Sequence, residues 1–195
     1  MVTKEKQRNG ELGSTVIKIM ENPELSEQQK NEKITEILIE AADRVGRAKK
    51  SLIELALRDL WEDYLQLSTI TDLADYLPEK KKAKVLKEVV NVSMNTLRKY
   101  YKWGDSYKLV EVAVHAAQRI HGEEGIEILE KLGNEFLSRN WTWSASLVAE
   151  ALGGRGEKEK ADELQRKIDF RKVALGLNEK KEFQPYPWFY CSPRN

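Results

Sequence analysis

Cysteine is almost absent from this chain: Cys191 is the only one among 195 residues. A single thiol excludes an intramolecular disulfide, and a reducing compartment is the simpler setting for such a protein. The N-terminal segment is polar and lacks the apolar centre of a signal peptide, and no run approaches the ~20 apolar residues that cross a bilayer. We therefore predict a cytoplasmic protein with no membrane partner.

An excess of charge of either sign is also missing. The 33 lysines and arginines nearly cancel the 32 aspartates and glutamates, which leaves a net charge of +1. This balance argues against a globally basic nucleic-acid binder and against an acidic mimic, but it is compatible with a local basic patch. Charged residues still form 33% of the chain, a content common on exposed helices and in heat-adapted proteins.

Motifs that carry catalysis or bind cofactors are not evident. His115 lies one helical turn after Glu111, a spacing that a metal site or a proton relay can use. A metal site needs three or four ligands, however, and no second histidine and carboxylate pair accompanies this one. Gly153, Gly154 and Gly156 are not followed by the lysine of a phosphate-binding loop. We predict no cofactor, no metal and no catalytic residue, and hence a protein that is not an enzyme.

The longest helical pattern covers residues 26–67. Ser26 and Gln29 have the spacing of a capping box, and Pro23 prevents an earlier start. Apolar residues then recur in steps of four and three, which keeps one stripe facing a neighbour. The stripe consists of Ile34, Leu38, Ala41, Val45, Ala48, Leu52 and Leu55. Gly46 is the weak point, because glycine costs roughly 1 kcal/mol relative to alanine inside a helix.

A polar, flexible N-terminus with a short helix is predicted before the long helix, over residues 1–25. Shorter helices follow it over residues 70–176, separated by proline and glycine turns. They form three successive helix-turn-helix units whose first helices begin near Ile70, Ser106 and Trp143, with Thr142 as a cap of the third. The steps of about 36 and 37 residues are inside the range of ~34–47 found in helical repeats.

The third unit has a spaced set of small, large, glycine and alanine residues, namely Ala149, Leu152, Gly156 and Ala161. At these spacings the unit resembles a tetratricopeptide repeat. The resemblance covers about residues 70–175 and implies an α-solenoid of stacked hairpins. An irregular helical bundle accounts for the same helices. The predicted fold is all-α in both cases, with a long N-terminal helix, about three helical hairpins and an extended aromatic tail.

Apolar stripes predict which faces of these helices are buried. One stripe consists of Leu86, Val89, Val90, Leu97 and Tyr100. Another consists of Leu109, Val110, Ala113, Ala116, Ala117 and Ile120. The small residues of the second stripe predict a close approach of helix backbones. We therefore predict a single helical domain over residues 26–177.

A basic and aromatic patch is the first feature that a partner could use. Its members are Lys80, Lys81, Lys82, Arg98, Lys99, Tyr100, Tyr101, Lys102 and Trp103. Cations interleaved with aromatic rings can hold phosphates while bases stack on the rings. The structural alternative is that the aromatic residues close the apolar end of a helix, while the cations complement its C-terminal dipole.

The tail over residues 178–195 is the second such feature. Its prolines exclude a regular helix, and its aromatic residues form a candidate partner anchor. They are Phe183, Tyr186, Trp188, Phe189 and Tyr190. The tail either packs back over the last hairpin as a cap, or docks on another protein or on a second copy in a swapped homodimer.

Two functions are consistent with these features. The leading hypothesis is a non-enzymatic helical module that presents a groove or a helical face to another protein, because hairpins recur and no catalytic set converges. The alternative is a nucleic-acid-associated protein that uses the patch around residues 98–102.

Overall fold

The computed structural model describes residues 4–47, 61–100 and 106–176. Within these ranges the chain forms helices joined by turns, without a strand, and the predicted all-α class is confirmed. None of the helices in these ranges is both long and apolar enough to span a membrane. The elements are α1 (Lys4–Glu21), α2 (Glu27–Arg47), α3 (Trp61–Leu73), a 3₁₀ helix (Ala74–Tyr76), α4 (Glu79–Tyr100), α5 (Ser106–Gln118), α6 (Gly122–Ser138), α7 (Thr142–Gly154) and α8 (Lys158–Ala174).

The start of α2 is the predicted capping box. The backbone N–H of Ser26 donates to Oε1 of Gln29 at 2.9 Å, and the backbone N–H of Gln29 donates to Oγ of Ser26 at 3.3 Å. Two backbone donors that have no partner inside the helix are satisfied reciprocally in this way. The preceding helix α1 is longer than the predicted short helix, because the glycines at 10 and 13 do not interrupt it.

The apolar stripe of α2 faces the core as predicted. Its described members Ile34, Leu38, Ala41 and Val45 are all buried. The remaining members and the middle of the predicted long helix lie outside the described residues, in the range 48–60. The continuity of a helix over 26–67 therefore stays a prediction.

The predicted break between a helix ending at Leu67 and a new helix beginning at Ile70 is wrong. The described helix α3 continues through both positions. The hydroxyls of Thr69 and Thr71 donate to the carbonyl oxygens four residues earlier, at 2.8 and 2.9 Å. Hydroxyls bonded in this way are accommodated inside a helix and do not act as caps.

The first helix of the first unit therefore does not begin near Ile70, since α3 is already helical before that residue. Because the described ranges begin at residues 61 and 106, the nearly equal steps of the hairpins stay a prediction. In the third unit Ala149 and Leu152 are buried, and Gly156 turns the chain with a φ of +86°. The tetratricopeptide-like arrangement stays a prediction.

The predicted cap of α7 is displaced by one residue. Thr142 is the first helical residue, and the N-cap is Trp141, whose side chain makes no cap hydrogen bond. The backbone N–H of Trp141 donates to the carbonyl of Phe136 at 2.8 Å. This bond closes the end of α6 and so fixes the point at which α7 can begin.

The first compact unit comprises the described residues up to Ile128. Its central helix α4 packs against α2, α3 and α5, while α1 packs on α2 and α3. The predicted stripes of α4 and α5 are buried, except that the Tyr100 side chain is not among those described. The fully buried alanines at 113, 116 and 117 allow the backbone of α5 to come close to its neighbours.

An ionic network joins α3, the 3₁₀ helix, α4 and the end of α5 in this unit. Arg119, just after α5, donates to Asp72 of α3 at 2.9 Å and also to Asp75 of the 3₁₀ helix. Asp75 in turn pairs with the ammonium of Lys82 in α4 at 2.9 Å. The side chains of Arg119 and Lys82 are only 19% and 12% exposed, so water screens these charges less than on an open surface.

The second compact unit comprises the described residues from Leu129 onward. Helices α7 and α8 pack against each other as a hairpin, and Leu164 and Ile168 are the buried residues of α8. A Cβ atom at Gly133 of α6 would lie 2.8 Å from Cδ2 of Leu164 and 3.3 Å from Cγ1 of Val148. Glycine at this position therefore lets both helices of the hairpin approach α6. The predicted domain boundaries stay predictions.

Candidate functional site

The basic residues of the predicted nucleic-acid patch lie at opposite ends of α4. Lys80, Lys81 and Lys82 are in its first turn, whereas Arg98 and Lys99 are in its last. At about 1.5 Å per residue, roughly 25 Å of helix separates the two groups. The other four residues of the patch lie outside the described side chains: Tyr100, Tyr101, Lys102 and Trp103. The structure thus does not bring the two basic groups together.

Two lysines of the first turn have acidic partners. The ammonium of Lys81 lies 3.9 Å from a carboxylate oxygen of Glu32. That of Lys82 lies 2.9 Å from Asp75 and 3.8 Å from Glu79. A phosphate would have to compete with these carboxylates for the same donors.

Within the described ranges, Glu111 and His115 have no third metal-binding side chain beside them. His115 is exposed, and Glu111 pairs with the ammonium of Lys108 at 3.3 Å. The same ammonium lies 5.6 and 5.1 Å from the ring centroids of Tyr64 and Tyr107. Burial lowers the pKa of Lys108, but the charge of Glu111 and its hydrogen bond outweigh burial and raise the pKa above its usual value. Among the described residues, no three metal-binding side chains converge.

The aromatic partner anchor lies outside the described residues, together with the rest of the tail from residue 178. The predictions for Phe183, Tyr186, Trp188, Phe189 and Tyr190 therefore stay predictions. The described chain does show the surface next to which this tail begins.

That surface is an open groove of the second unit, between the end of α6 and the outer side of α8. It has a volume of about 550 Å³, which is within the ~300–1,000 Å³ range typical of ligand sites. Its lining residues are Leu137, Ser138, Glu163, Arg166, Lys167, Phe170 and Arg171. Because Leu164 and Ile168 turn one side of α8 into the core, the residues beside that stripe become the wall of the groove.

Apolar side chains on α8 are left uncovered by the described part of the chain. Phe170 is 76% exposed and Val173 is 80% exposed. They are three residues apart, so they lie close together on the helix surface. Phe170 belongs to the groove wall, where it stands across from the half-buried Leu137 of α6. This combination of a concave surface and an uncovered aromatic ring is typical of a site that another segment covers.

The polar side chains of the groove are held by short contacts. Lys167 pairs with Glu163 at 2.6 Å, and the hydrogen bond from Lys167, together with its charge, lowers the pKa of Glu163. The guanidinium Nε of Arg171 donates to Oδ1 of Asn140 at 2.6 Å. Asn140 has a φ of 62° in the turn after α6, so this turn orients an arginine of α8.

The groove carries an excess of positive charge. Three cationic side chains, those of Arg166, Lys167 and Arg171, accompany the one carboxylate of Glu163. In the same unit, the guanidinium of Arg139 lies over the ring of Trp141, 5.3 Å from its centroid. The groove can therefore attract carboxylates and can also accept aromatic rings against its arginines.

Sequence reasoning missed this groove, although a signal for it is present. Leu164 and Ile168 are four residues apart and define the buried stripe of a strongly charged helix. Phe170 and Val173 fall off that stripe, so their exposure could be expected from the spacing alone. The groove itself could not be expected from the spacing, because its concave shape depends on where α6 ends.

Comparisons of this chain with family models, with curated proteins and with solved structures find no match. The groove is therefore interpreted from its own geometry and charge.

Proposed function

We propose that this chain is a cytoplasmic, non-enzymatic helical module that binds another protein through the groove between α6 and α8. The observation that carries the proposal is the exposure of Phe170 on the groove wall. Covering an exposed aromatic side chain in a concave site removes apolar area from water, and such residues supply much of the free energy of protein binding.

The charge of the groove indicates the chemistry of the partner. Arg166 and Arg171 present guanidinium groups that pair well with carboxylates and stack on aromatic rings. Leu137 and Phe170 supply the apolar surface between them. We therefore propose a partner segment that carries an aromatic side chain and at least one carboxylate.

A displayed peptide library tests this proposal. The full chain is the bait, and peptides that also bind the empty support are removed. We expect the enriched peptides to combine an aromatic residue with Asp or Glu. Their affinity should fall by about tenfold or more in Phe170→Glu, which corresponds to about 1.4 kcal/mol, because the ring is lost and a like charge repels the peptide.

Tyr76→Glu is the matched control, since Tyr76 is also an exposed aromatic residue but lies on the 3₁₀ helix of the first unit. Its affinity for the selected peptides should equal that of the wild type. A library that yields no binder sensitive to Phe170→Glu, or binders equally weakened by Tyr76→Glu, would overturn the proposal.

Nucleic-acid binding is the second candidate function. It is supported by Arg98 and Lys99, which are exposed together at the end of α4. An electrophoretic assay at low and moderate salt separates the two candidates. Salt-sensitive binding that disappears when Arg98, Lys99 and Lys102 are changed to Glu would favour nucleic acid over a protein partner.

A further inference from the structure

We propose that residues 183–190 of the same chain occupy the groove between α6 and α8. This inference goes beyond the proposed function, because it concerns what covers the groove in the free protein. It rests on the reach of the tail, on the chemistry of the groove, and on the exposure of Phe170 and Val173.

The first step of the argument is the point at which the tail leaves α8. The helix ends at Ala174, and Gly176 has a φ of +65°, a left-handed conformation that commonly ends a helix and redirects the chain. The backbone N–H of Gly176 donates to the carbonyl of Val173 at 3.0 Å. The tail therefore starts next to the uncovered end of α8.

The second step is distance. From residue 176 back to Glu163, the far end of the groove wall, α8 extends for roughly 20 Å at about 1.5 Å per residue. Residues 177–182, fully extended, span about 20 Å. A segment that begins at Phe183 can thus reach every lining residue of the groove on its own chain.

The third step is chemistry. Residues 183–190 read Phe-Gln-Pro-Tyr-Pro-Trp-Phe-Tyr and contain no charged side chain, so they bring no positive charge into a groove that already holds three cations. Their rings suit the guanidinium groups of Arg166 and Arg171. The contact between Arg139 and Trp141 is an example of this pairing in the same unit.

The tether decides between this chain and a second copy. A short flexible linker gives an attached segment an effective concentration in the millimolar range. A segment from another copy has to compete with that value at the much lower concentration of the protein itself. The covalent tether thus favours the tail of the same chain as the occupant.

The chain carries a suitable probe for this contact, since Cys191 is its only cysteine and follows Tyr190 directly. A nitroxide spin label on Cys191 of the full ¹⁵N-labelled chain broadens the amide signals of residues near it. We expect Leu137 and Ser138, on the α6 side of the groove, to lose most of their signal intensity. In the labelled Phe170→Ser variant these two residues should recover most of it.

Phe170 is exposed, so its replacement by serine leaves the core intact, and unchanged signals of α2 and α4 verify this. A second labelled variant, with Trp188→Ser and Phe189→Ser, alters the tail instead of the groove and should show the same recovery. A mixture of ¹⁵N-labelled chain without a spin label and spin-labelled chain without ¹⁵N reports contacts between copies. We expect no broadening of the ¹⁵N signals in this mixture.

Broadening at Leu137 and Ser138 that is absent, or that persists in Phe170→Ser, would overturn the inference. Broadening that appears in the mixed sample would assign the groove to the tail of a second copy and would also overturn it. Neither result depends on a partner protein. The proposed function is judged separately by the peptide library.

Discussion

Gly13 and Gly133 both lie inside helices but have different surroundings. A Cβ atom at Gly13 of α1 would meet no atom within 4 Å, whereas one at Gly133 of α6 would lie 2.8 Å from Cδ2 of Leu164. Leu164 is itself buried where α8 meets α6, which limits how far its side chain can move. The same substitution should therefore have opposite effects at the two positions.

Gly13→Ala should stabilise the protein by about 0.5–1 kcal/mol, because alanine loses less backbone entropy in a helix. Gly133→Ala gains the same amount but overpacks the contact with Leu164 at a cost of about 1–3 kcal/mol, so the net effect should be destabilising. The free energy of unfolding in urea measures both. If Gly133→Ala were as stabilising as Gly13→Ala, the close approach of α8 to α6 would be wrong.

Ser93 is a second residue whose replacement should increase the stability of the protein. Its hydroxyl is fully buried in α4 and makes no hydrogen bond to any described residue. A buried hydroxyl without a partner costs about 1–3 kcal/mol, so Ser93→Ala should raise the free energy of unfolding by about 1 kcal/mol or more.

Ser14→Ala is the control for this substitution. Ser14 is an exposed serine of α1 whose hydroxyl donates to the carbonyl of Glu11 at 3.0 Å. The same change there alters helix propensity by only a few tenths of a kcal/mol. Equal effects at positions 14 and 93 in urea unfolding would mean that the Ser93 hydroxyl does find a partner in solution.

Because of Lys108, the free energy of unfolding should decrease at alkaline pH. Its pKa in the folded protein is raised, since the attraction of Glu111 outweighs the effect of burial. A raised pKa contributes stability that is complete below the unfolded value of about 10.4 and is lost as the pH rises through the folded value. As the pH rises above about 10.4, the wild type should therefore lose more stability than Lys108→Arg, whose guanidinium stays charged. Parallel pH profiles of the melting temperature would contradict this.

At the scale of elements, the network of Arg119 fixes the connection between α3, α4 and α5. Arg119→Ala should destabilise the protein by about 1–2 kcal/mol, because the mostly buried guanidinium is lost, whereas Asp72 and Asp75 are 69% and 48% exposed and are partly solvated without it. Arg44→Ala is the matched control, since its pair with Glu40 at 2.9 Å is exposed. It should cost less than about 1 kcal/mol.

A double-mutant cycle with Asp75→Asn isolates the interaction itself. A coupling energy near zero between positions 119 and 75 in urea unfolding would show that the ion pair does not hold these elements together.

The helices that could be predicted from the sequence are those in which local signals agree. The capping box of Ser26 and Gln29 places the start of α2 correctly, and the stripe from Leu109 to Ile120 identifies the buried face of α5. The boundary near Ile70 was misplaced, because threonine favours helix caps by its sequence preference, whereas the hydroxyls of Thr69 and Thr71 bond carbonyls inside α3. The start of α7 depends on a backbone hydrogen bond to Phe136, and no capping residue in the sequence indicates this start.

At the scale of the whole chain, the sequence does not reveal the groove, whereas it predicts the aromatic tail as a candidate anchor. The tail is visible because proline and aromatic residues cluster in one stretch. The groove is made by Leu137 and Phe170, which are far apart in sequence and come together only through packing. A site built in this way is found from the structure alone.

The groove and the tail together predict competition. In the full chain, Trp188→Ser with Phe189→Ser should raise the affinity for an aromatic and acidic peptide by about tenfold, because the peptide no longer has to displace a tethered competitor. Cys191→Ser, next to the altered residues, should leave the affinity unchanged. Calorimetric titration with a library peptide measures this, and an unchanged affinity would mean that the tail does not cover the binding surface.

The turn after α6 accepts only a few residue types at position 140, which Asn140 occupies. Glycine at this position would suit the backbone, but Arg171 would lose its hydrogen-bond acceptor. Aspartate would keep the backbone conformation and the acceptor, but its charge would cancel one positive charge of the groove. Variants of the chain should therefore keep a short, oxygen-bearing side chain at this position. Asn140→Asp should therefore weaken the attraction of acidic ligands while preserving the turn.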